Sequence, residues 1–212
     1  MSTPLSIANL GAISAKAAVP GYRREDIRAG IVHFGIGNFH RAHQAVYLED
    51  LFNLGVDRDW GLIGAGVTPY DSNMRSKLGA QDYLTTVVEQ DVGKSAARVT
   101  GAMIDFLDPE DRKAIIEKLA DPAIRIVSMT ITEGGYFINP ATGVFDPAYP
   151  AIASDGSNPD DPKTVFGLIV AGLKLRRDRG IVPFTVMSCD NIPGNGHVTE
   201  NAVAGLARLS DP

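Results

Sequence analysis

The sequence predicts an α/β protein built on a doubly wound parallel sheet. Short apolar runs typical of buried parallel strands recur along the chain, segments with apolar residues at helical spacing separate them, and Gly-rich or polar residues follow the runs. Right-handed connections between such strands place helices on both faces of the sheet, and ligands bind beyond the carboxyl ends of the strands. The residues that follow the strands are therefore the candidates for function.

The first half of the chain alternates between these patterns after an N-terminal arm over residues 1–30. In order, the predicted elements are a strand at 31–34, a helix at 39–54, a strand at 60–67 and a short helix at 70–80. Two extended segments, 83–89 and 98–104, flank a polar turn at 90–95 and predict a small β-hairpin insertion.

The second half continues the alternation, and acid–proline pairs mark two of its helix starts. Asp108-Pro109 and Asp161-Pro162 each combine a capping aspartate with a proline in the first turn. The predicted elements are a helix from 108 to 119, a strand at 124–131, a helix from 161 to 180, a strand at 183–187 and a helix at 198–209. Residues 139–162, rich in Pro, Gly, Asp and Asn, predict a surface loop.

The composition limits the classes of function. The 212 residues are 44% hydrophobic and 21% charged, ordinary values for a globular domain. A net charge of −5 disfavours nucleic-acid binding, which normally uses a basic face, and no apolar stretch approaches the roughly 20 residues of a membrane span. The single cysteine, Cys189, allows neither a disulfide framework nor a cysteine-rich zinc site, and this favours a cytoplasmic setting.

A glycine-containing turn follows the first strand and opens a helix. Gly35 permits a tight turn, and Gly37 lets the backbone approach a diphosphate, with Asn38, Phe39 and His40 beginning the helix. His40 stands where the usual fingerprint has its third glycine, so a plain strand–helix turn is the alternative. The strand before and the helix after favour dinucleotide binding, and residues 31–212 are expected to form one Rossmann-like domain.

An acid follows the second strand. In NAD-binding domains a carboxylate at this place accepts hydrogen bonds from the ribose hydroxyls, and Asp71 is the only acid in residues 67–71. Its alternative role is to cap the next helix. No Lys or Arg lies within those five residues, although Arg75 follows one turn later, so NAD is favoured over NADP.

Two further polar segments follow later strands. Thr132 and Glu133 precede a Gly-Gly pair that would let the backbone lie against a flat cofactor group, or would simply form a turn. Asn191 lies in a polar segment after the fifth strand, where its amide could donate to an alkoxide or carbonyl oxygen. The alternative for that segment is a loop of turn-forming residues.

No metal site is predicted. His40 and His43 are three residues apart and could share a helix face, but no third or fourth ligand lies nearby in the sequence. Cys189 is expected to be a small buried side chain rather than a nucleophile.

Four blocks of the sequence resemble the mannitol dehydrogenase family of long-chain polyol dehydrogenases. They are GIGNFHRAHQAVYLEDL, TITEGGYF, PKTVFGLI and FTVMSCDNIPGNGHV, in that order. The resemblance implies NAD(P)-dependent oxidation of a polyol to a ketose, such as D-mannitol to D-fructose, without a metal. It also implies that the turn at 35–40 binds the diphosphate and that Asn191 supplies one of two amides for the oxyanion.

The same resemblance implies parts that this sequence does not show. NAD-using relatives carry two acids after the second strand, and Tyr70-Asp71 keeps only the second, so NADP stays open. The catalytic lysine, a second asparagine and a histidine belong to a helical C-terminal domain, and we expect the chain to stop before it. Lys163 and Lys174 are not expected to substitute. The fragment alone should bind the cofactor weakly and not turn over, and the full-length protein should be a monomer or weak oligomer.

Three alternatives remain open. A hexuronate reductase acting on fructuronate or tagaturonate would share the same blocks. A non-catalytic nucleotide-binding module, or an interaction domain that binds no nucleotide, would share the fold without the chemistry.

Overall fold

The computed structural model describes residues 3–139 and 142–211 and confirms the predicted fold class. Within these ranges the strands are β1 (Ala29–Phe34), β2 (Gly61–Ala65), β3 (Thr85–Asp91), β4 (Lys94–Thr100), β5 (Met103–Phe106), β6 (Ile126–Met129) and β7 (Thr185–Ser188). The α-helices are α1 (Leu10–Ile13), α2 (Asn38–Ala42), α3 (Gln44–Asn53), α4 (Pro69–Gly79), α5 (Arg112–Leu119), α6 (Pro150–Ser157), α7 (Val165–Asp178) and α8 (Asn195–Ser210).

The main sheet has five parallel strands in the order β5-β2-β1-β6-β7. The chain runs outward from β1 to β5 and then returns to β6 on the other side of β1. The strand order therefore reverses between β1 and β6, where a crevice opens at the carboxyl edge of a doubly wound sheet.

Alternation along each strand sends apolar side chains to two cores. Val32 and Val127 belong to the core under α5, α6, α7 and α8. Ile31 and Leu62 belong to the core under α3, α4 and the N-terminal arm. Buried on both faces, these strands carry the near-continuous apolar runs that identified them in the sequence.

The N-terminal arm packs against the domain. Tyr22 is buried, its hydroxyl donates to Glu49 at 2.6 Å, and Ala18 forms a bridge with Arg98 of the hairpin. The division into an arm over 1–30 and a domain over 31–212 stays a prediction, and residues 1, 2 and 212 lie outside the described ranges.

The helix predicted over 39–54 is wrong in its continuity, because it breaks at His43 into α2 and α3. His43 adopts φ −125° and ψ −84°, and its ring Nδ1 lies 2.9 Å from the Phe39 carbonyl oxygen. The ring thus takes the carbonyl that the His43 amide would reach in a continuous helix. The two aromatic rings also stack, with centroids 4.3 Å apart.

The hairpin forms, but it begins later than predicted and lies outside the main sheet. Its strands β3 and β4 pair antiparallel around a tight turn in which Gly93 has φ +73°. Residues 103–104, predicted as the end of the hairpin, belong instead to β5 beside β2. In the connection between β4 and β5, the Gly101 amide donates to the Glu49 carboxylate at 2.7 Å. These two residues are far apart in the sequence, and no local pattern reveals their contact.

The predicted loop at 139–162 contains α6, and residues 140 and 141 of it lie outside the described ranges. Pro150 occupies the first turn of α6, and Ile152 of the same helix is buried. Asp155 is also buried, and its carboxylate accepts from the Thr164 amide at 2.9 Å and hydroxyl at 2.7 Å. Part of the polar segment that suggested a loop is therefore a helix whose aspartate binds Thr164, just before α7.

Three helix starts differ from the predicted ones. Asp111, not Asp108, caps α5, and Thr164, not Asp161, caps α7. The last helix begins at Asn195 rather than near residue 198. In the described ranges, no helix is both long enough and apolar enough to cross a membrane.

Candidate functional site

A cavity of about 460 Å³ opens at the carboxyl edge of the sheet beside the reversal of strand order. Four segments line it: the turn after β1, the β2–α4 connection, the segment after β6, and the start of α7. Its lining residues are Gly35, Gly37, Gly66, Val67, Thr68, Tyr70, Asp71, Thr130, Ile131, Thr132, Gly135, Phe137, Lys163, Thr164 and Val165. Both the place and the size are typical of a small-molecule site in this class of fold.

The two glycines of the first turn serve different needs. Gly35 has φ +89°, and a Cβ atom there would lie 2.1 Å from the Thr130 carbonyl oxygen. The fold itself therefore requires glycine at this position. At Gly37 a Cβ atom would meet only the Gly35 oxygen at 4.0 Å, so the protein alone tolerates a side chain. The open space at Gly37 belongs to the cavity.

Asp71 caps α4, one of its two predicted roles, and it also lines the cavity; its role with a ribose stays a prediction. Its Oδ2 accepts from the Val67 amide at 3.1 Å, and from the Thr68 amide at 3.0 Å and hydroxyl at 2.6 Å. The Asp71 amide in turn faces Thr68 Oγ1, which completes a capping box. All three contacts fall on Oδ2.

Asn38 and Phe39 follow the turn but do not line this cavity. Asn38 Oδ1 accepts from Arg41 at 2.6 Å, and the Arg41 guanidinium also donates to the Ile36 carbonyl at 3.1 Å. The Phe39 side chain is 55% exposed. Arg41 therefore ties the turn to the short helix α2, a role that the sequence did not indicate.

The His40 imidazole is buried and lies against His33 of β1, with ring centroids 3.9 Å apart. Burial, and then Arg41, lowers the pKa of His40 to about 3, and burial followed by His40 lowers the pKa of His33 well below 6.5. Both rings are therefore neutral near pH 7.

A second cavity of about 300 Å³ lies beside the first, and Thr130 borders both. It is lined by His33, Phe39, His40, His43, Gln44, Tyr47, Thr130, Met187 and Cys189. Burial, and then Asp190, raises the pKa of the Cys189 thiol. Among the described residues, no group of three or more His, Cys, Asp or Glu side chains is arranged to hold a metal ion.

Thr132 reaches the cavity in a conformation that few residues adopt. Its φ of +64° and ψ of 166° lie in a region that favours glycine, at a cost of about 1–3 kcal/mol. The Asp190 carboxylate holds the segment in place, accepting from the Ile131 amide at 2.9 Å and the Thr132 amide at 3.1 Å. Glu133 begins the following 3-10 turn and is exposed outside the cavity lining.

Asp190 was not among the residues predicted from the sequence. Besides the two amides, it accepts from the Tyr136 hydroxyl at 2.7 Å, and its own carbonyl accepts from Asn195 Nδ2 at 3.1 Å. This carboxylate joins β7 to the segment after β6. Asn191 comes next, exposed at the same edge of the sheet, and its catalytic role stays a prediction.

Lys163, which was not expected to replace the catalytic lysine, lies in the segment before α7 and lines the cavity. Its ammonium is paired with Asp161. Lys163 and Thr164 are cavity residues that single-motif reasoning missed, although they fall in the block PKTVFGLI.

The chain is similar in sequence and in fold to known proteins. The sequence matches the family profile of the mannitol dehydrogenase Rossmann domain over residues 29–211. It is 58% identical over 193 residues to mannitol 2-dehydrogenase of Cereibacter sphaeroides, covering 91% of this chain and 40% of that protein. It is 47% identical over 207 residues to the polyol:NADP oxidoreductase of Gluconobacter oxydans, covering 96% of this chain and 42% of that protein.

Among solved structures, the chain resembles Pseudomonas fluorescens mannitol 2-dehydrogenase in a ternary complex with NAD and D-mannitol. The TM-score is 0.95 at 46% sequence identity, covering 99% of this chain and 43% of the other. The chain thus spans about two fifths of the length of these relatives. The matched family profile covers nearly all of it, and the chain belongs to the mannitol dehydrogenase family as its Rossmann domain.

Proposed function

We propose that this chain is the NAD-binding domain of an oxidoreductase that interconverts a polyol and a ketose, D-mannitol and D-fructose first among the candidates. The observation that carries the proposal is the cavity in which the Gly35–Gly37 turn and the Asp71 carboxylate lie on adjacent walls. A diphosphate fits beside the glycine turn, where no side chain intrudes, and a ribose hydroxyl can donate to Asp71 Oδ1. The relatives named for mannitol and polyol oxidation support the assignment.

The surroundings of Asp71 favour NAD over NADP. A 2′-phosphate next to this carboxylate would be repelled unless a cation compensated for it. Arg75, the cation nearest in sequence, is engaged elsewhere: its Nε donates to the Phe106 carbonyl at 2.9 Å, and it pairs with Asp108 at 3.7 Å. The Gluconobacter oxydans relative is named for NADP, and binding of NADH and NADPH to this chain distinguishes the two cofactors.

The chain's own contribution to catalysis would be positioning and charge stabilisation. When bound, NAD supplies the hydride acceptor at its nicotinamide ring. Asn191, exposed at the same edge of the sheet, would donate its amide N–H to the oxygen on the reacting carbon as negative charge develops there. The proton of that hydroxyl would go to a lysine in the part of the enzyme that the family resemblance places after this domain.

Asp71→Asn tests the cofactor site. NADH should bind the chain more tightly than NADPH, and the substitution should weaken NADH binding about tenfold because a neutral amide accepts less strongly from ribose hydroxyls. Titration followed by NADH fluorescence gives both values. Glu89→Gln, an exposed acid on the hairpin, is the matched control and should bind as the original chain does. Equal binding of NADH and NADPH that Asp71→Asn leaves unchanged would contradict the assignment.

Asn191→Ala tests the catalytic role in the complete polypeptide. Polyol oxidation should lose about 10²–10³ in kcat, the usual effect of removing one oxyanion donor, with little change in NADH affinity. The 212-residue chain alone should show no turnover. Reduction of fructuronate or tagaturonate without polyol oxidation would identify the hexuronate reductase instead. Tight NADH binding with no turnover of either class by the complete polypeptide would indicate a non-catalytic nucleotide-binding module.

A further inference from the structure

We propose that His33 is a positioning residue for the dinucleotide turn, acting through one directed hydrogen-bond chain that runs Ser128, His33, Thr130, Gly35. This hydrogen-bonded path would hold the Gly35 carbonyl so that its oxygen presents no free lone pair to an anionic ligand. The inference deepens the proposed NAD site and rests on it.

The four groups form a continuous path across β1 and β6. The His33 side chain is fully buried on β1. Its Nδ1 lies 2.7 Å from Ser128 Oγ, and its Nε2 lies 3.0 Å from Thr130 Oγ1. Thr130 Oγ1 in turn lies 2.7 Å from the Gly35 carbonyl oxygen.

The direction of each bond follows from the end of the path. The Gly35 carbonyl oxygen can only accept, so the single hydroxyl proton of Thr130 must point to it. Thr130 Oγ1 is then an acceptor, and His33 must donate to it from Nε2–H. His33 is buried and stacked on His40, so it carries one ring proton only, and its Nδ1 must accept from Ser128. The alternative acceptor for Ser128, Gln44 Oε1, lies farther away at 3.4 Å.

The consequence appears at the glycine turn. The Gly35 oxygen also accepts from the Gly37 amide at 2.7 Å. A carbonyl oxygen has two lone pairs, so the Thr130 hydroxyl and the Gly37 amide together occupy it. Without the Thr130 donor, one lone pair would be free beside a bound diphosphate, and the Gly35 peptide could rotate. The buried path therefore organises the turn before the ligand arrives.

Thr130→Val removes the hydroxyl and keeps the shape of the side chain, and Thr130→Ser keeps the hydroxyl. We expect the valine variant to raise the Kd for NADH about tenfold and the serine variant to stay within about twofold of the original chain. Thr100→Val, a buried threonine of the hairpin, is the matched control and should leave NADH affinity unchanged. Thermal melting checks that each variant is folded.

His33 is tested by its proton position and by a conservative replacement. Long-range ¹⁵N–¹H spectra of the ligand-free chain should show His33 as the neutral Nε2–H tautomer. His33→Gln can still donate to Thr130 and should retain NADH binding better than His33→Leu.

Failure of this inference differs from failure of the proposed function. If the original chain binds NADH and Thr130→Val binds it equally well, or if His33 carries its proton on Nδ1, the positioning role is overturned while the NAD site stands. If the original chain and the complete polypeptide both ignore NADH, the proposed function falls, and the positioning role falls with it.

Discussion

Replacing Gly35 with alanine is expected to lower the free energy of unfolding by at least about 3 kcal/mol and to abolish NADH binding. Gly35 has φ +89°, and the new Cβ would lie 2.1 Å from the Thr130 carbonyl oxygen. Backbone cannot yield as a flexible side chain does, so the turn or the end of β6 must move. Either movement displaces a wall of the cavity, because Gly35 and Thr130 both line it.

Substitutions at two other glycines distinguish the loss of stability from the loss of NADH binding. Gly93 has φ +73° with open space around it, so Gly93→Ala should cost only the conformational penalty, about 1–2 kcal/mol, and leave NADH binding intact. Gly37→Ala should unfold like the original chain yet bind NADH more weakly, because only the ligand needs the space. Urea unfolding and NADH titration on the three variants give these values. A Gly35→Ala chain as stable as the original would show that the turn is not as tightly built as described.

Acid is expected to unfold this protein steeply, because His33 and His40 are buried as neutral rings. Their pKa values in the folded state lie below the ordinary value of 6.5, by burial first in both cases. The unfolded chain therefore binds more protons, and stability present above pH 6.5 is lost as the pH falls. Two such groups remove about 2.7 kcal/mol per pH unit below 6.5, and for His40 the loss continues to about pH 3.

Urea unfolding between pH 7.5 and pH 5 measures this slope. His40→Phe keeps an aromatic ring against His33 and removes two ring nitrogens that have no hydrogen-bond partner among the described residues. It should reduce the slope by about 1.4 kcal/mol per pH unit, the share of one histidine. Val92→Phe, at an exposed position in the hairpin turn, introduces a ring without changing a titratable group and should leave the slope unchanged. A His40→Phe chain with the original slope would mean that His40 is charged or exposed in solution.

The sheet, the turn after β1 and the acid in the first turn of α4 were predictable from the sequence because each has a local signal. Parallel strands that are buried on both faces are apolar along most of their length, so runs such as 31–34 can be recognised in the sequence. The turn after β1 needs Gly35 for its backbone angle, and the segment after β2 needs an acid in the first turn of α4 whether or not a ligand binds. Those local requirements explain why Asp71 had two alternatives: the structure confirms the cap, and the ribose contact stays a prediction.

The missed features depend on contacts between distant parts of the chain. Asp190 supports the strained Thr132 from 58 residues away. Asp155, within a segment that looked like a loop, binds Thr164, the residue that caps α7. His43 interrupts a periodic helix because its ring, and not its own backbone amide, binds the Phe39 carbonyl oxygen. In each case a polar side chain forms a hydrogen bond with a backbone group. The residue type alone does not indicate which backbone group that is.

The amino-acid sequence was enough to predict the doubly wound parallel sheet and its glycine turn, since apolar periodicity and backbone angles are imposed by neighbouring residues. The family was identified separately, by the resemblance of four sequence blocks, and the family profile agrees with it. Three features became visible in the folded structure alone: Lys163 and Thr164 border the cavity, Arg75 contacts Phe106 and Asp108, and His33 reaches Gly35 through Thr130. Those facts require β6 and the start of α7 to meet the turn after β1 in space. Long-range packing brings these segments together, and the conformational preferences of neighbouring residues do not predict that packing.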